Sequence, residues 1–447
     1  MSKKYYLLKG GTVVNENKTF QADILIEDSE IVKIDKNISH SSAQEINVEG
    51  LHILPGIIDE HLHFREPGYA HKGTIASETT AAIAGGVTSF MEMPNTNPAA
   101  LTQEILQDKY DIAAHSSLAN YSFYMGTSND NLEEVLKTNP KDVCGVKIFM
   151  GASTGNMLVD DEATLRGLFS KVNMLIAAHC EDENTIRANM QKAIKQYGDN
   201  IPANIHPIIR SEEGCYKSTQ LAFQLAKEYK TRFHLLHLTT AIELDLLPNE
   251  KLSKDKLITS EVCVHHLHFS DIDYARLGHQ IKCNPAIKSE QDKAALWEAL
   301  LDDRIDAVST DHAPHTWNEK QQVYTQAPGG LPLIQHTLVT MLNYVNQGKI
   351  SLEKVVEKMC HAPAVCYQIE KRGYIREGYK ADLAIVNLND PWEIKKENIL
   401  YKVGWSPMEG EKMISKVIHT FVNGFPVLLN GKIQAEVRSE RLMFERD

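Results

Sequence analysis

The 447-residue sequence lacks any apolar run near the roughly 20 residues that a helix needs to span a bilayer. Its seven cysteines include no C-x-x-C pair, and their odd number argues against a disulfide framework or a structural zinc ribbon. Acidic residues outnumber basic ones by 59 to 47, and the net charge of −12 argues against nucleic acid or an anionic membrane as partner. The first residues lead into a strand pattern and not into an apolar signal segment. Together these absences predict a protein of the reducing cytoplasm.

Hydrophobic residues make up 43% of the chain and charged residues 24%, an ordinary balance for a globular protein with a large core. Residues 5–50 show short strand patterns separated by turns, and strand patterns return after about residue 370. The two β-rich ends are therefore expected to pair with each other.

Between these ends, apolar strand-like runs alternate with helical segments. The eight runs lie at 51–59, 87–93, 119–126, 143–150, 174–180, 232–238, 256–263 and 305–311. Because parallel strands need crossover helices, this alternation favours a (β/α)8 barrel. A doubly wound open sheet is the alternative, and it would place ligands at a switch point instead of at eight strand ends. We therefore predict an α/β fold, with a TIM-type barrel over 54–370 and a small β-sandwich domain formed by 1–53 and 371–447.

Residues able to bind metal lie at the ends of these runs. His61 and His63 are two apart, so on a strand both imidazoles project to the same side. His179 and His237 each end a run; either alone is as readily structural, but together with the first pair they are better explained as ligands of a second ion. Asp311 ends the eighth run, where its carboxylate could ligate an ion and take a proton from bound water, or form only a salt bridge.

Lys147 stands among apolar neighbours in the fourth run. A buried lysine is costly unless its ammonium is satisfied, so it could snorkel to the surface or pair with a buried carboxylate. The chemical alternative is covalent. A desolvated lysine has a lowered pKa, and its neutral amine can react with carbon dioxide to form a carbamate that bridges two divalent ions.

Polar residues in the loops after the strands could recognise a substrate. Arg65 follows the first run and offers a planar fork that matches a carboxylate, and Asn95 follows the second and offers an amide donor. Asn284 and His315 lie in later loops on the same predicted rim. Jointly they indicate recognition of a small anionic amide, although each could be an ordinary loop residue. Gly329-Gly330 could let the backbone approach a ligand closely, or could mark a simple turn.

The histidine-rich stretch 265–268 is interpreted as a surface or supporting segment, because it follows the seventh run with no acidic partner in place. His234 and Cys180 are interpreted as packing residues. Glu261 is interpreted as a residue that orients a neighbour.

Three segments carry a resemblance to a known family. Residues 55–68 read PGIIDEHLHFREPG and closely resemble the dihydroorotase signature of the amidohydrolase superfamily. Residues 93–96, MPNT, and 309–315, STDHAPH, resemble two further dihydroorotase segments. The REPG string is the specific part, since the H-x-H pattern alone marks only the superfamily.

The resemblance implies a distorted TIM barrel with two zinc ions bridged by carboxylated Lys147 and a hydroxide. By motif position, the ligands would be His61, His63 and Asp311 for the more buried ion, and His179 and His237 for the second. Arg65, Asn95 and His315 match positions that hold the substrate carboxylate, and Asn284, Gly329 and Gly330 match positions near the pyrimidine ring. Many long bacterial dihydroorotases have an aspartate near the position of Lys147 and no bridging lysine, so the number of metal ions stays open.

The implied reaction interconverts N-carbamoyl-L-aspartate and L-dihydroorotate in pyrimidine biosynthesis, with Asp311 carrying the proton. A hydantoinase, dihydropyrimidinase or allantoinase would share the metal cage, but its substrates lack the ring carboxylate that explains Arg65 with Asn95. A catalytically silent partner of aspartate transcarbamoylase is the other alternative; such proteins lose ligands, and this chain retains all six. A homo-oligomer is also compatible with the sequence.

Overall fold

Eight short parallel strands surround the centre of the computed structural model, which describes residues 3–151, 156–248 and 250–446. The barrel strands are Ile57–Leu62, Val87–Glu92, Asn120–Phe123 continuing as Met125–Gly126, Val146–Phe149, Ile176–His179, Phe233–Leu235, Ile258–Cys263 and Ala307–Ser309. Their side chains are buried almost throughout, as expected when helices cover the outside and side chains fill the inside.

The first and eighth strands meet and close the barrel. Leu62 forms a parallel bridge with His312, and the His63 amide donates to the His312 carbonyl at 2.7 Å. The third strand, interrupted only at Tyr124, joins the two parts of the ring. The predicted barrel is thus confirmed, and the doubly wound open sheet is wrong because an open sheet has two free edges.

The predicted first run, 51–59, is wrong as a single strand. His52–Pro55 belongs to the terminal sheet, where it pairs with Leu383–Asn387, and a separate strand starts at Ile57 inside the barrel. Gly56 lies at the junction, where an added Cβ would stand 2.1 Å from the Thr88 hydroxyl oxygen. Only glycine fits there, and the sequence pattern gave no sign of the change of sheet.

Both chain ends build one nine-stranded sheet that folds around its own apolar core and forms the predicted small β-sandwich domain. Its strands are Tyr5–Asn15, Lys18–Glu27, Glu30–Asp35, Gln44–Asn47, His52–Pro55, Leu383–Asn387, Lys416–Val422, Phe425–Leu429 and Lys432–Ile433. The exact domain boundaries stay a prediction.

Helices cover the barrel and begin mostly at side-chain caps such as Thr74, Thr102 and Ser211. The α-helices are Ile75–Ala84, Gln103–Ser116, Leu132–Val135, Glu162–Lys171, Glu183–Tyr197, His206–Ile209, Glu212–Tyr229, Val264–His268, Tyr274–Leu277, Glu290–Leu301, Trp317–Lys320, Thr337–Asn346, Leu352–Val356 and Ala362–Tyr367. Within the described ranges, none has both the length and the apolar character of a membrane-crossing helix.

A buried ion pair ties the seventh and eighth strands together at the end of the barrel remote from the histidines. Lys256 donates to both Asp306 oxygens at 2.7 and 3.0 Å, and both side chains are 1% exposed. We expect Asp306→Ala to lower the free energy of unfolding by about 3 kcal/mol, because it leaves a buried ammonium without its counter-ion. Denaturant unfolding measures the loss. The control Asp302→Ala breaks an exposed contact with Arg304 and should cost less than about 1 kcal/mol; equal losses would contradict the prediction.

Candidate active site

A cavity of about 360 Å³ opens at the carboxyl ends of the barrel strands. All the residues predicted from the sequence line it together: His61, His63, Arg65, Asn95, Lys147, His179, His237, Asn284, Asp311, His315, Gly329 and Gly330. The placement follows from the fold, since loops after parallel strands share one rim. The individual roles of these residues stay proposals.

Two histidines and an aspartate form the first candidate metal group. The Asp311 Oδ1 atom lies 3.4 Å from His61 Nε2 and 3.1 Å from His63 Nε2. On the far side of each ring, His61 Nδ1 lies 2.5 Å from a Glu261 oxygen and His63 Nδ1 lies 2.7 Å from the Asn95 amide oxygen. Since both of those partners accept, a neutral ring carries its proton on Nδ1 and turns the Nε2 lone pair toward Asp311. Three electron-rich atoms then face one point, which fits a bound cation.

His179 and His237 form a second group close by. His179 Nδ1 lies 2.9 Å from His237 Nε2, and His179 Nε2 lies 2.8 Å from a Glu181 oxygen that also contacts Arg210. Burial lowers the pKa of both imidazoles, so they are neutral near pH 7. Neutral imidazole is the form that binds metal, and Glu181 holds the ring of His179 in place.

Lys147 lines the same cavity as the two groups, with its amine buried. Its side chain is 1% exposed, and among the described residues its Nζ atom has no hydrogen-bond partner. Burial lowers the pKa of Lys147 to about 7, so a large fraction of the amine is neutral at physiological pH. Within the described residues the Lys147 amine neither reaches the surface nor pairs with a carboxylate, and its Nζ atom lies 4.4 Å from the centre of the Phe149 ring. A buried amine that is partly neutral and has no hydrogen-bond partner among the described residues fits the carbamate chemistry.

The backbone is strained at three cavity residues. Arg65, His237 and Asp311 have φ values of +72°, +40° and +43°, in the left-handed region that costs a side-chain-bearing residue about 1–2 kcal/mol. Each of them lies two or three residues after the end of a barrel strand. The turn redirects each side chain into the cavity, and such strain clusters at functional sites.

The opposite wall of the cavity carries the polar loop residues. Arg65 Nε donates to the Pro314 carbonyl at 3.1 Å, and its Nη2 lies 3.0 Å from His315 Nε2. Asn284 packs so tightly on Gly329 that an added Cβ would lie 2.9 Å from its amide nitrogen. Gly329 therefore permits a close approach of the Asn284 side chain, and the predicted approach of the backbone to a ligand stays a prediction.

Sequence reasoning missed several residues and misplaced others. Tyr69, Lys72 and Phe149 also line the cavity, and no spacing or motif singled them out. His265 and His266 are buried, so a surface position for them is wrong, whereas the supporting role stays a prediction.

The sequence also predicted roles for His268, Glu261 and Cys180. His268 has an acidic partner, Glu411, at 3.0 Å, contrary to expectation. The orienting role of Glu261 agrees with its contacts to His61 and His234, whose Nε2 lies 3.4 Å from the second carboxylate oxygen. Cys180 is buried among apolar side chains, as predicted.

The sequence and the fold of this chain are both similar to those of known proteins. The model of the amidohydrolase family matches residues 52–427. The chain belongs to the amidohydrolase family. Among curated relatives, the dihydroorotase of Pyrococcus furiosus is 31% identical over 437 residues, covering 97% of this chain and 95% of that protein. The dihydroorotase of Bacillus cytotoxicus is 32% identical, covering 94% and 97%.

Among solved structures, the L-hydantoinase (dihydropyrimidinase) from Arthrobacter aurescens superimposes on this amidohydrolase with a TM-score of 0.91. The two are 25% identical, and the match covers 98% of this chain and 99% of that one. The sequence relatives and the similar solved structure thus carry different names, dihydroorotase and hydantoinase.

Glu261 provides a test of the first metal group. We expect Glu261→Gln to weaken divalent-metal affinity about tenfold or more, because the neutral amide no longer holds the proton on His61 Nδ1 firmly. Competition with a chelator, followed by metal analysis, measures the change. The control Glu243→Gln alters another buried glutamate, held by Thr219 and Thr240, and should leave the affinity unchanged. Equal affinities in wild type and Glu261→Gln would contradict the orienting role.

Proposed function

We propose that this amidohydrolase is a dihydroorotase that interconverts N-carbamoyl-L-aspartate and L-dihydroorotate. The observation that carries the proposal is Arg65, a buried guanidinium beside the candidate metal groups that forms no ion pair within residues 3–151, 156–248 and 250–446. Burial lowers the pKa of Arg65 to about 10, yet it stays charged at neutral pH. A substrate carboxylate would neutralise this charge at the cavity wall. The dihydroorotase names of the sequence relatives support the same substrate.

We propose that the two groups hold two zinc ions. His61, His63 and Asp311 would hold one, and His179 and His237 the other. The neutral Lys147 amine would attack carbon dioxide, form an N–C bond and lose a proton, and the resulting carbamate would be a ligand shared by both ions. When bound, such ions supply Lewis-acid polarisation of an amide carbonyl and hydroxide at neutral pH.

The protein groups then have distinct tasks in ring opening. Arg65, Asn95 and His315 bind the ring carboxylate and so orient the neighbouring amide carbonyl toward the histidines and Asp311. Asp311 accepts the proton of the attacking water and donates it to the ring nitrogen as the C–N bond breaks. Ring closure follows the same path in reverse, with Asp311 returning the proton.

The hydantoinase alternative rests on the structural match with the Arthrobacter enzyme. A ring without a carboxylate would leave the Arg65 guanidinium desolvated and unpaired, which is costly. A silent partner protein is disfavoured because all six candidate ligands converge on one cavity. A cytoplasmic location is supported by seven cysteines, all free and buried. The homo-oligomer and the aspartate transcarbamoylase partner stay predictions.

Arg65 tests the substrate. Offered dihydroorotate, dihydrouracil, hydantoin and allantoin in parallel, the wild type should prefer dihydroorotate. Arg65→Met should raise the KM for dihydroorotate at least about tenfold with a smaller change in kcat, because one charged contact to the carboxylate is lost. The matched control is Arg276→Met, which removes an exposed arginine paired with Asp273 and should behave as wild type. Preferential opening of the three rings that lack the carboxylate would refute the substrate assignment.

Asp311 tests the proton transfer. We expect Asp311→Ala to lower kcat by at least about 100-fold, because the variant lacks the group that moves the proton between water and ring nitrogen. Steady-state kinetics should be accompanied by metal analysis of the same sample, so that metal loss and proton transfer are told apart. Turnover near the wild-type value in Asp311→Ala would remove Asp311 from the mechanism.

A further inference from the structure

Lys72 is a cavity residue that the proposed mechanism does not use. It lies in the loop between the first barrel strand and helix Ile75–Ala84, and its side chain is 13% exposed. Its Nζ atom lies 3.0 Å from His315 Nδ1 and 2.8 Å from a Glu319 oxygen. The ammonium therefore links the carboxylate-binding wall to the start of the short helix Trp317–Lys320.

These contacts determine where His315 carries its proton. A lysine ammonium only donates, so His315 Nδ1 must accept from Lys72. His315 Nε2 lies 3.0 Å from the Gly329 carbonyl, which only accepts, so Nε2 must donate. Both contacts require the same neutral tautomer, with the proton on Nε2. Burial and the neighbouring cations lower the pKa of His315, in keeping with a neutral ring.

The Gly329 carbonyl is itself held in place. The buried Lys320 ammonium donates to the carbonyls of Pro328 at 2.9 Å and Gly330 at 2.8 Å, on either side of Gly329. The acceptor for His315 is therefore part of a fixed loop. Arg65 Nη2 lies equally close to Nε2 and can only donate, so the surroundings of Nε2 do not decide the tautomer, whereas the Lys72 contact at Nδ1 does.

This tautomer creates a pair of donors. Arg65 Nη2 lies 3.0 Å from His315 Nε2, and both nitrogens carry hydrogen, so they cannot bond to each other. A carboxylate oxygen can accept from Arg65 and can share the single Nε2 hydrogen with the Gly329 carbonyl in a three-centre bond. The opposite tautomer would let Nε2 accept from Arg65 and would leave only one donor for an anion.

We propose that Lys72 is a positioning residue that selects carboxylate-bearing substrates by fixing the Nε2-protonated tautomer of His315. The inference rests on the proposed function for its substrate and on the contacts above for its tautomer. The simpler alternative is that Lys72 only forms a salt bridge with Glu319 at the start of the helix.

Nitrogen-15 NMR of histidine-labelled protein tests the tautomer directly, with the His315 signals assigned from a His315→Asn variant. Wild type should show an unprotonated Nδ1 and a protonated Nε2, and Lys72→Met should show a mixed or reversed tautomer. Lys72→Arg should restore the wild-type pattern, because a guanidinium also only donates. A protonated Nδ1 in wild type, or an unchanged pattern in Lys72→Met, would overturn the proposal.

Kinetics with dihydroorotate test the consequence. Lys72→Met should raise KM about tenfold while kcat changes less than about threefold, and Lys72→Arg should recover most of the loss. The control Glu319→Gln removes the salt bridge but leaves the contact of Lys72 with His315, so KM should stay within about twofold of wild type. Equal effects of Lys72→Met and Glu319→Gln, or a loss confined to kcat, would favour the salt-bridge alternative.

The two proposals fail in different ways. If the wild type opens none of the dihydroorotate offered, the proposed function is wrong, and the NMR result still decides the tautomer. If the wild type is active but KM is unchanged in Lys72→Met, only the role of Lys72 is wrong.

Discussion

The candidate site depends on one contact between the first and last barrel strands. The buried Asp59 carboxylate accepts from the Thr310 hydroxyl at 2.6 Å and from the Thr310 amide at 3.2 Å. Asp59 is two residues before His61, and Thr310 immediately precedes Asp311. These hydrogen bonds join the two ends of an eight-stranded ring at the point where its first candidate metal group forms. Burial raises the pKa of Asp59 to about 7, so the contact is made by a carboxyl group that water hardly reaches.

Basic side chains surround His315 although the protein as a whole is acidic. The chain carries a net charge of −12, yet Arg65 and Lys72 line the cavity and Lys320 lies close to the same histidine. Arg65 and Lys320 donate to backbone carbonyls, and Lys72 contacts a ring nitrogen of His315 and the Glu319 carboxylate. The net charge governs solubility and the long-range interactions of the whole protein, whereas recognition of a small anion depends on a few desolvated cations within one cavity.

Much of this arrangement could be predicted from sequence because it depends on period and order along the chain. Alternating strands and helices indicated the barrel, and parallel strands bring their following loops to one rim, so His61, His179 and Asp311 were expected together. The division of the first run into two strands at Gly56 could not be predicted, because an apolar run has the same residue pattern whether it stays in one sheet or passes to another. The positive φ of Arg65, which aims its side chain, is likewise invisible in the sequence.

The strand His52–Pro55 and the barrel strand Ile57–Leu62 are consecutive, with Gly56 alone between them. The Gly56 amide donates to the Asp382 carbonyl at 2.8 Å, which fastens this junction to the C-terminal part of the chain. The terminal sheet therefore fixes the start of the strand that contains His61 and is followed by His63, five and seven residues after Gly56. Residues more than 300 positions apart in the chain therefore fix the orientation of those imidazoles together, and a change in the outer sheet would reach the candidate metal ligands through the backbone.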